Sequence, residues 1–273
     1  MIDLTINTEV ARQILTGFIR SEVTRAGYSR GVVGLSGGID SALSYVLAVE
    51  ALGAENVLAV RMPYRLSSAD SLEHAGLLID RLQTPSLTIE ITDMVEPLFA
   101  RDPQMTKQRK GNIMARERMI VLYDQSEVFK GLVIGTSNKT EILLGYSTLW
   151  GDMASALNPI GDLYKTQVRQ LSRDLGIPAA IVDKAPSADL WVGQTDEGEL
   201  GFTYEQVDKL LFLLVDQRYS AQECIEEGFE ESFVNAVLTR VRRFQFKRMM
   251  PPIAKVSNRT IGYDFLYLRD WGT

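Results

Sequence analysis

The chain has 273 residues, with 29 Lys+Arg against 35 Asp+Glu, a formal charge of −6. Hydrophobic residues make up 45% and charged residues 23%, enough for a large core and one α/β domain, or at most two small ones. The arithmetic excludes a membrane span, because the longest strictly apolar run, Leu210 to Val215, is six residues. It also excludes an intramolecular disulfide and multi-thiolate or His-rich metal sites, because Cys224 and His74 are single, and the acidic balance argues against nucleic-acid binding.

Met1 to Val10 has no basic segment ahead of an apolar one, so no secretory leader is expected and the protein reads as cytoplasmic. Apolar residues at spacings of three and four over 6–23 predict an amphipathic helix. Gly31 to Leu35 reads as a buried strand that ends in glycine-rich sequence, followed by a helix over 39–51. Val57 to Val60 predicts a second strand, 68–82 a helix, and Leu87 to Ile91 a third strand. A long helix over 112–129 leads into a fourth strand, Leu132 to Ile134. Helices are expected to start near Asn138 and to span roughly 165–175. Alternation of this kind implies a doubly wound parallel sheet of about five strands, with helices on both faces. Residues 185–203 are rich in turn formers and read as a long functional loop. Helical segments near 204–216, 219–227 and 230–248 complete a helical C-terminal extension. The expected organisation is a sheet core over 1–180, a mobile loop over 185–203 and the extension over 204–273, all in one domain.

The most informative string is Gly34-Leu35-Ser36-Gly37-Gly38-Ile39-Asp40-Ser41, between a predicted strand and a predicted helix. Adjacent glycines allow a sharp turn and close ligand approach. The helix start offers unpaired N–H groups to an anion. The lysine of the kinase-type phosphate loop is absent. An aspartate beside phosphate needs an intervening cation, so Asp40 reads as a Mg²⁺ ligand. Lys165 opens a predicted helix, where the dipole disfavours a cation, and a nearby anion would explain its placement. His74 and Cys224 are expected to be structural, and Arg240, Arg242, Arg243, Lys247 and Arg248 to form a mainly solvated basic face.

The Ser36 to Ser41 string resembles the pyrophosphate loop of the N-type ATP pyrophosphatases. Four further segments resemble the NAD synthetases of that superfamily: Gly111 to Met119, Gly135 to Glu141, Gly161 to Val168, and Pro186 to Leu190 with Gln194 to Glu197 and Glu199 to Gly201. The resemblance implies a Rossmann-like fold. It also implies that Gly34 to Ser41, Thr136, Lys165 and Ser187 hold ATP, that Asp40 and Glu141 hold Mg²⁺, and that Arg116 contacts deamido-NAD. Asp40 and Glu141 each follow a predicted parallel strand, which places both at the ligand-binding edge of such a sheet.

Two departures stand out. Phe246-Lys247-Arg248 replaces a His-Lys-Arg string, so only Lys247 carries over as a dinucleotide contact. The usual T-K-Y-G-D-G-x-x-D reads Thr148-Leu149-Trp150-Gly151-Asp152-Met153-Ala154-Ser155-Ala156. Leu149 and Ala156 therefore lose the usual lysine and aspartate, while Asp152 remains, expected as a buried carboxylate that orients ammonium or takes its proton.

The implied reaction amidates deamido-NAD to NAD with ATP and ammonia, through an acyl-adenylate, releasing AMP and pyrophosphate. The resemblance also implies a homodimer with the 112–129 helix near the interface. Residue 36 already opens the phosphate loop, so no glutaminase is expected ahead of it. The Gly-Asp-Met-Ala departure leaves room for a separate glutaminase subunit. The segment 187–201, with Asp189, Gly193, Asp196, Glu197 and Gly198, is expected to order only on substrate binding.

Overall fold

The structure is a computed structural model that describes residues 2–187, 191 and 195–266. Four strands, β1 (Gly31–Gly34), β2 (Val57–Arg61), β3 (Ser86–Thr88) and β4 (Leu132–Ile134), form one parallel sheet in the order β3-β2-β1-β4. Where a fifth strand would pair with β4 there is a single parallel bridge, Ile134 to Leu157, with Ala156 donating to the Val133 carbonyl at 2.9 Å and Gly135 to the Leu157 carbonyl at 2.8 Å. Two linking hydrogen bonds are too few to make a strand there. The third strand is shorter than its apolar run because Ile91 already starts a helix that the sequence did not signal, α4 (Thr92–Phe99), with Pro97 inside it.

Because side chains alternate across a strand, each central strand feeds two cores. Val33, Val57 and Ala59 face α1 (Thr8–Arg25), α2 (Ile39–Leu52), α7 (Lys165–Asp174) and α8 (Ala179–Val182). Val32, Leu58 and Val60 face α4 and α5 (Lys107–Phe129). Helix α2 is apolar almost all round and is buried accordingly, wedged between sheet, α1, α3 (Ala69–Leu82) and α7. The C-terminal extension builds a third core. It joins α6 (Lys139–Leu144) and Tyr164 to α10 (Tyr204–Leu211), α11 (Ala221–Glu226) and α12 (Glu231–Arg243). Cys224 is fully buried in that core, the packing role expected for it.

In this order β1 lies between β2 and β4, so the chain leaves in opposite directions after β1 and after β4. That crevice at the carboxyl ends is where open α/β sheets bind ligands.

Candidate active site

The loop from Leu35 to Gly38 turns from β1 into α2. Ser41 stabilises the turn, its hydroxyl accepting from the Ser36 N–H at 3.2 Å and donating to the Gly38 carbonyl at 2.9 Å. Gly37 has φ +80° and packs its Cα against the backbone of Ser71 at the start of α3. The N-cap of α2 is Gly38, with no side-chain cap, which leaves the first-turn N–H groups available to an anion.

Across the crevice, Asn138 caps α6 by accepting from the Glu141 N–H at 2.9 Å. Its amide nitrogen donates to Asp40 Oδ1, also at 2.9 Å. One asparagine thus ties the helix after β4 to the helix after β1. Lys165, 2% exposed, hydrogen-bonds through Nζ to Asp40 Oδ2 and reaches Glu141 Oε1 at 3.1 Å. The anion expected near this helix-start lysine is therefore supplied twice over by the protein. Burial opposes the Lys165 charge, yet Asp40 and Glu141 together hold its pKa above the ordinary lysine value. Burial pushes Glu141 up to about 8, with Lys165 opposing the shift and Asp40 reinforcing it.

The sequence reading missed Asp196 as a member of this group. Asp196 opens a short helix, α9 (Asp196–Leu200), and is 4% exposed. It accepts from the hydroxyls of Tyr146 and Tyr204, each at 3.1 Å. Its pKa is raised by burial and held down by Lys165. Glu197 accepts from the Tyr204 N–H at 2.9 Å. Both carboxylates are thus tied to the start of α10 and to Tyr146, at the C-terminal end of the segment expected to order on binding. Residues 188–190 and 192–194, including Asp189, Gly193 and Gln194, lie outside the described residues. Asp196 sat inside a turn-rich stretch with no periodicity, so only its pairing with distant tyrosines reveals it.

These groups open into one cavity of about 1180 Å³, larger than a pocket for one small ligand. Every candidate drawn from the sequence lines it except Gly37, which is covered by Ser71: the loop from Gly34 to Ser41, Arg116, Thr136, Glu141, Asp152, Lys165, Ser187 and Lys247. Arg116 is exposed to the cavity and donates through Nε to the Leu149 carbonyl at 3.3 Å. Leu149 is in the lining and Ala156 is not. Asp152 was expected to be buried. Its side chain is instead open to the cavity, with Oδ1 accepting from the Thr148 N–H at 2.6 Å. Enclosure by the surrounding protein still raises its pKa.

Arg242 and Arg243 are exposed as expected, but the other three members of the basic cluster are not simply solvated. Arg240 donates to the Leu144 carbonyl at 3.0 Å, Arg248 to Leu143 at 2.7 Å, and Lys247 to Gly145 and Ser147 at 2.8 and 2.6 Å. These are carbonyls at and just beyond the C-terminus of α6, where cations are favoured. Sequence could not show this, because α6 and the cluster are about a hundred residues apart. Lys247 keeps its place in the cavity wall while two of its three donors serve the backbone.

Among the described residues, no cluster of three or more His, Cys, Asp or Glu is arranged to hold a metal. Asp40 and Glu141 nevertheless converge on one cationic point, the Lys165 ammonium, and offer only hard carboxylate oxygens. Such a pair suits Mg²⁺, which is commonly held by one or two carboxylates with phosphate oxygens completing its shell.

The family described as NAD synthase matches residues 11–251. The NH(3)-dependent NAD(+) synthetase of Trichlorobacter lovleyi is 55% identical over 272 residues, covering 100% of both chains. Among solved structures, the NMN synthetase of Francisella tularensis superposes with a TM-score of 0.81 at 32% identity, covering 92% of this chain and 99% of that one. The NH3-dependent NAD synthetase of Campylobacter jejuni, solved with a nitrate ion, gives 0.79 at 34%, covering 92% and 100%.

Proposed function

The chain belongs to the NAD synthase family, and on that footing we propose that its cavity amidates the nicotinate carboxylate of deamido-NAD. It is a ligase that forms a C–N bond, using ATP and ammonia to make NAD. The carboxylate oxygen attacks the α-phosphorus of ATP and pyrophosphate leaves. Ammonia then attacks the adenylated carbonyl, and AMP leaves. The observation that carries this reading is the Lys165–Asp40–Glu141 cluster, set where β1 and β4 diverge and opening into a cavity of about 1180 Å³.

The chain contributes position and charge. The loop from Gly34 to Ser41, with Thr136, holds ATP, the first-turn N–H groups of α2 facing its phosphates, which Ser187 also contacts. Asp40 and Glu141 would hold Mg²⁺, which when bound neutralises charge on the leaving pyrophosphate. Lys165 donates to the phosphate oxygens at the breaking bond. Arg116 and Lys247 hold the deamido-NAD end, and the segment 185–203 closes the cavity against water. Asp152 keeps one oxygen for the incoming ammonium, and its raised pKa suits it to take a proton.

The test is pyrophosphate and NAD release from ATP, ammonium and deamido-NAD, with the acid mononucleotide in a parallel arm because an NMN synthetase superposes on this chain. Turnover of the dinucleotide with little or none of the mononucleotide is expected. No turnover of the dinucleotide overturns the reading.

The nitrogen donor is a separate prediction. Purified protein is expected to use free ammonia and ignore glutamine, in line with its relatives' names. At fixed, subsaturating total ammonium its rate should rise through the mildly alkaline range, because only neutral ammonia is nucleophilic. Turnover with glutamine as sole donor, after removal of contaminating ammonia, would sink this. A glutaminase supplied as a second subunit would raise the rate with glutamine by delivering ammonia.

We also propose a homodimer. Ile120, Tyr123 and Val128 stand exposed along α5, where a two-fold partner would bury them. A dimeric mass by light scattering at micromolar concentration is expected, and a monomeric one refutes the assembly.

A further inference from the structure

Asp208 lies on α10 and is fully buried, outside the cavity. A buried carboxylate is costly unless its oxygens are satisfied, and these two are. Oδ1 accepts from the Thr140 hydroxyl at 2.6 Å, and Oδ2 accepts from the Thr166 N–H at 2.8 Å. The Thr140 oxygen in turn accepts from the Lys165 N–H at 3.0 Å. Thr140 is the residue before Glu141, and Thr166 is the residue after Lys165.

The need for such a group follows from the sequence at the start of α7. Tyr164 is the N-cap, and its side chain makes no cap hydrogen bond. Gln167 covers only the Tyr164 N–H, at 2.9 Å. The first two N–H groups of the helix, those of Lys165 and Thr166, therefore need an acceptor from elsewhere. Asp208 supplies one directly and one through Thr140, and adds a negative charge at the positive end of the dipole. The same face of α10 also reaches the other end of the lysine. Tyr204, four residues earlier, sets its ring 5.1 Å from Lys165 Nζ and its hydroxyl on Asp196.

We propose that Asp208 is a positioning residue for adenylation: it fixes the α7 start to α6, and so sets where the Lys165 ammonium stands relative to Asp40 and Glu141. It touches no substrate and acts through Lys165, so the proposal rests on the phosphate-binding role given to Lys165 above. A carboxylate is suited to this because it accepts on both sides. Asparagine keeps one acceptor and turns an NH₂ toward either the Thr140 hydroxyl, whose proton then loses its acceptor, or a backbone N–H.

The experiment is a double-mutant cycle on pyrophosphate release by the full chain, with Asp208→Asn, Lys165→Ala and the pair, alongside melting temperatures. Asp208→Asn is expected to lower kcat about 10- to 100-fold, the cost of misplacing a catalytic group by about an ångström, with KM for deamido-NAD unchanged. In the Lys165→Ala background the same change should cost no more than about twofold, because the group it positions is gone. Thr140→Val leaves the Lys165 N–H unpaired and should reproduce the kcat loss, which keeps the test decisive if Asp208→Asn does not fold. Val234→Ala, in the core of the extension, should lower the melting temperature without that kcat loss. An Asp208→Asn or Thr140→Val cost that persists undiminished beside Lys165→Ala overturns the positioning role and leaves the site reading intact. Near-normal activity of Lys165→Ala itself overturns both.

Discussion

Asp40→Asn and Glu141→Gln are each expected to reduce pyrophosphate release by about 10³-fold or more, the several kcal/mol that a metal carboxylate contributes to a leaving phosphate. Both proteins should stay folded. For Glu141→Gln the reason lies in the charge balance of the site. Burial raises the Glu141 pKa from 4.5 to about 8, against the pull of Lys165 and with help from Asp40 and Asp196. A pKa raised on folding means a contribution to stability that is complete below pH 4.5 and lost as pH rises through 8. In EDTA, the wild type should therefore lose melting temperature between about pH 5 and pH 9 relative to Glu141→Gln, which carries no such group. A constant difference across that range counts against the buried carboxylate, and near-normal pyrophosphate release by either variant counts against the metal assignment.

Gly37→Ala should be nearly as damaging, for a purely geometric reason. A methyl at this position would sit 2.1 Å from the Ser71 carbonyl oxygen and 2.9 Å from its carbon, on a backbone with φ +80°. The left-handed conformation alone costs about 1–2 kcal/mol. The neighbour is main chain at the start of α3, where the Ser71 N–H is turned onto Ser68, so it cannot swing aside as a side chain would. The loop must shift instead, and an ångström of displacement costs about 10²-fold in rate. We expect kcat/KM for ATP to fall by that factor, with a lower melting temperature. Gly27→Ala is the control, since Gly27 has φ +82° and nothing within 4 Å. It should lose stability and keep its activity. Equal ATP kinetics in the two variants would show that the Ser71 contact does not hold the loop.

The sheet and the phosphate loop were legible because their signals are local. Gly31 to Leu35 is an apolar run closed by glycines, and 39–51 begins a helix directly after it. Lys165 was legible as an anomaly, a cation at a helix start. What escaped was non-local. Asp196 matters through Tyr146 and Tyr204, and the Arg240, Lys247 and Arg248 cluster through carbonyls around the end of α6. Nothing in a window of a dozen residues encodes either pairing. The expected count of about five strands exceeds the four of the sheet because, beyond β4, Ala156 and Leu157 make a bridge and no more.

The clamp on α6 bears on how the protein is made. A helix of six residues does not hold its shape unaided, and this one carries Glu141. Its far end is held by Arg240, Lys247 and Arg248. Ribosomes deliver the chain from the N-terminus, so all four strands and the loop from Leu35 to Gly38 emerge long before those three cations do. A nascent chain can thus assemble its sheet while the C-terminal end of the helix that carries Glu141 still lacks its anchors.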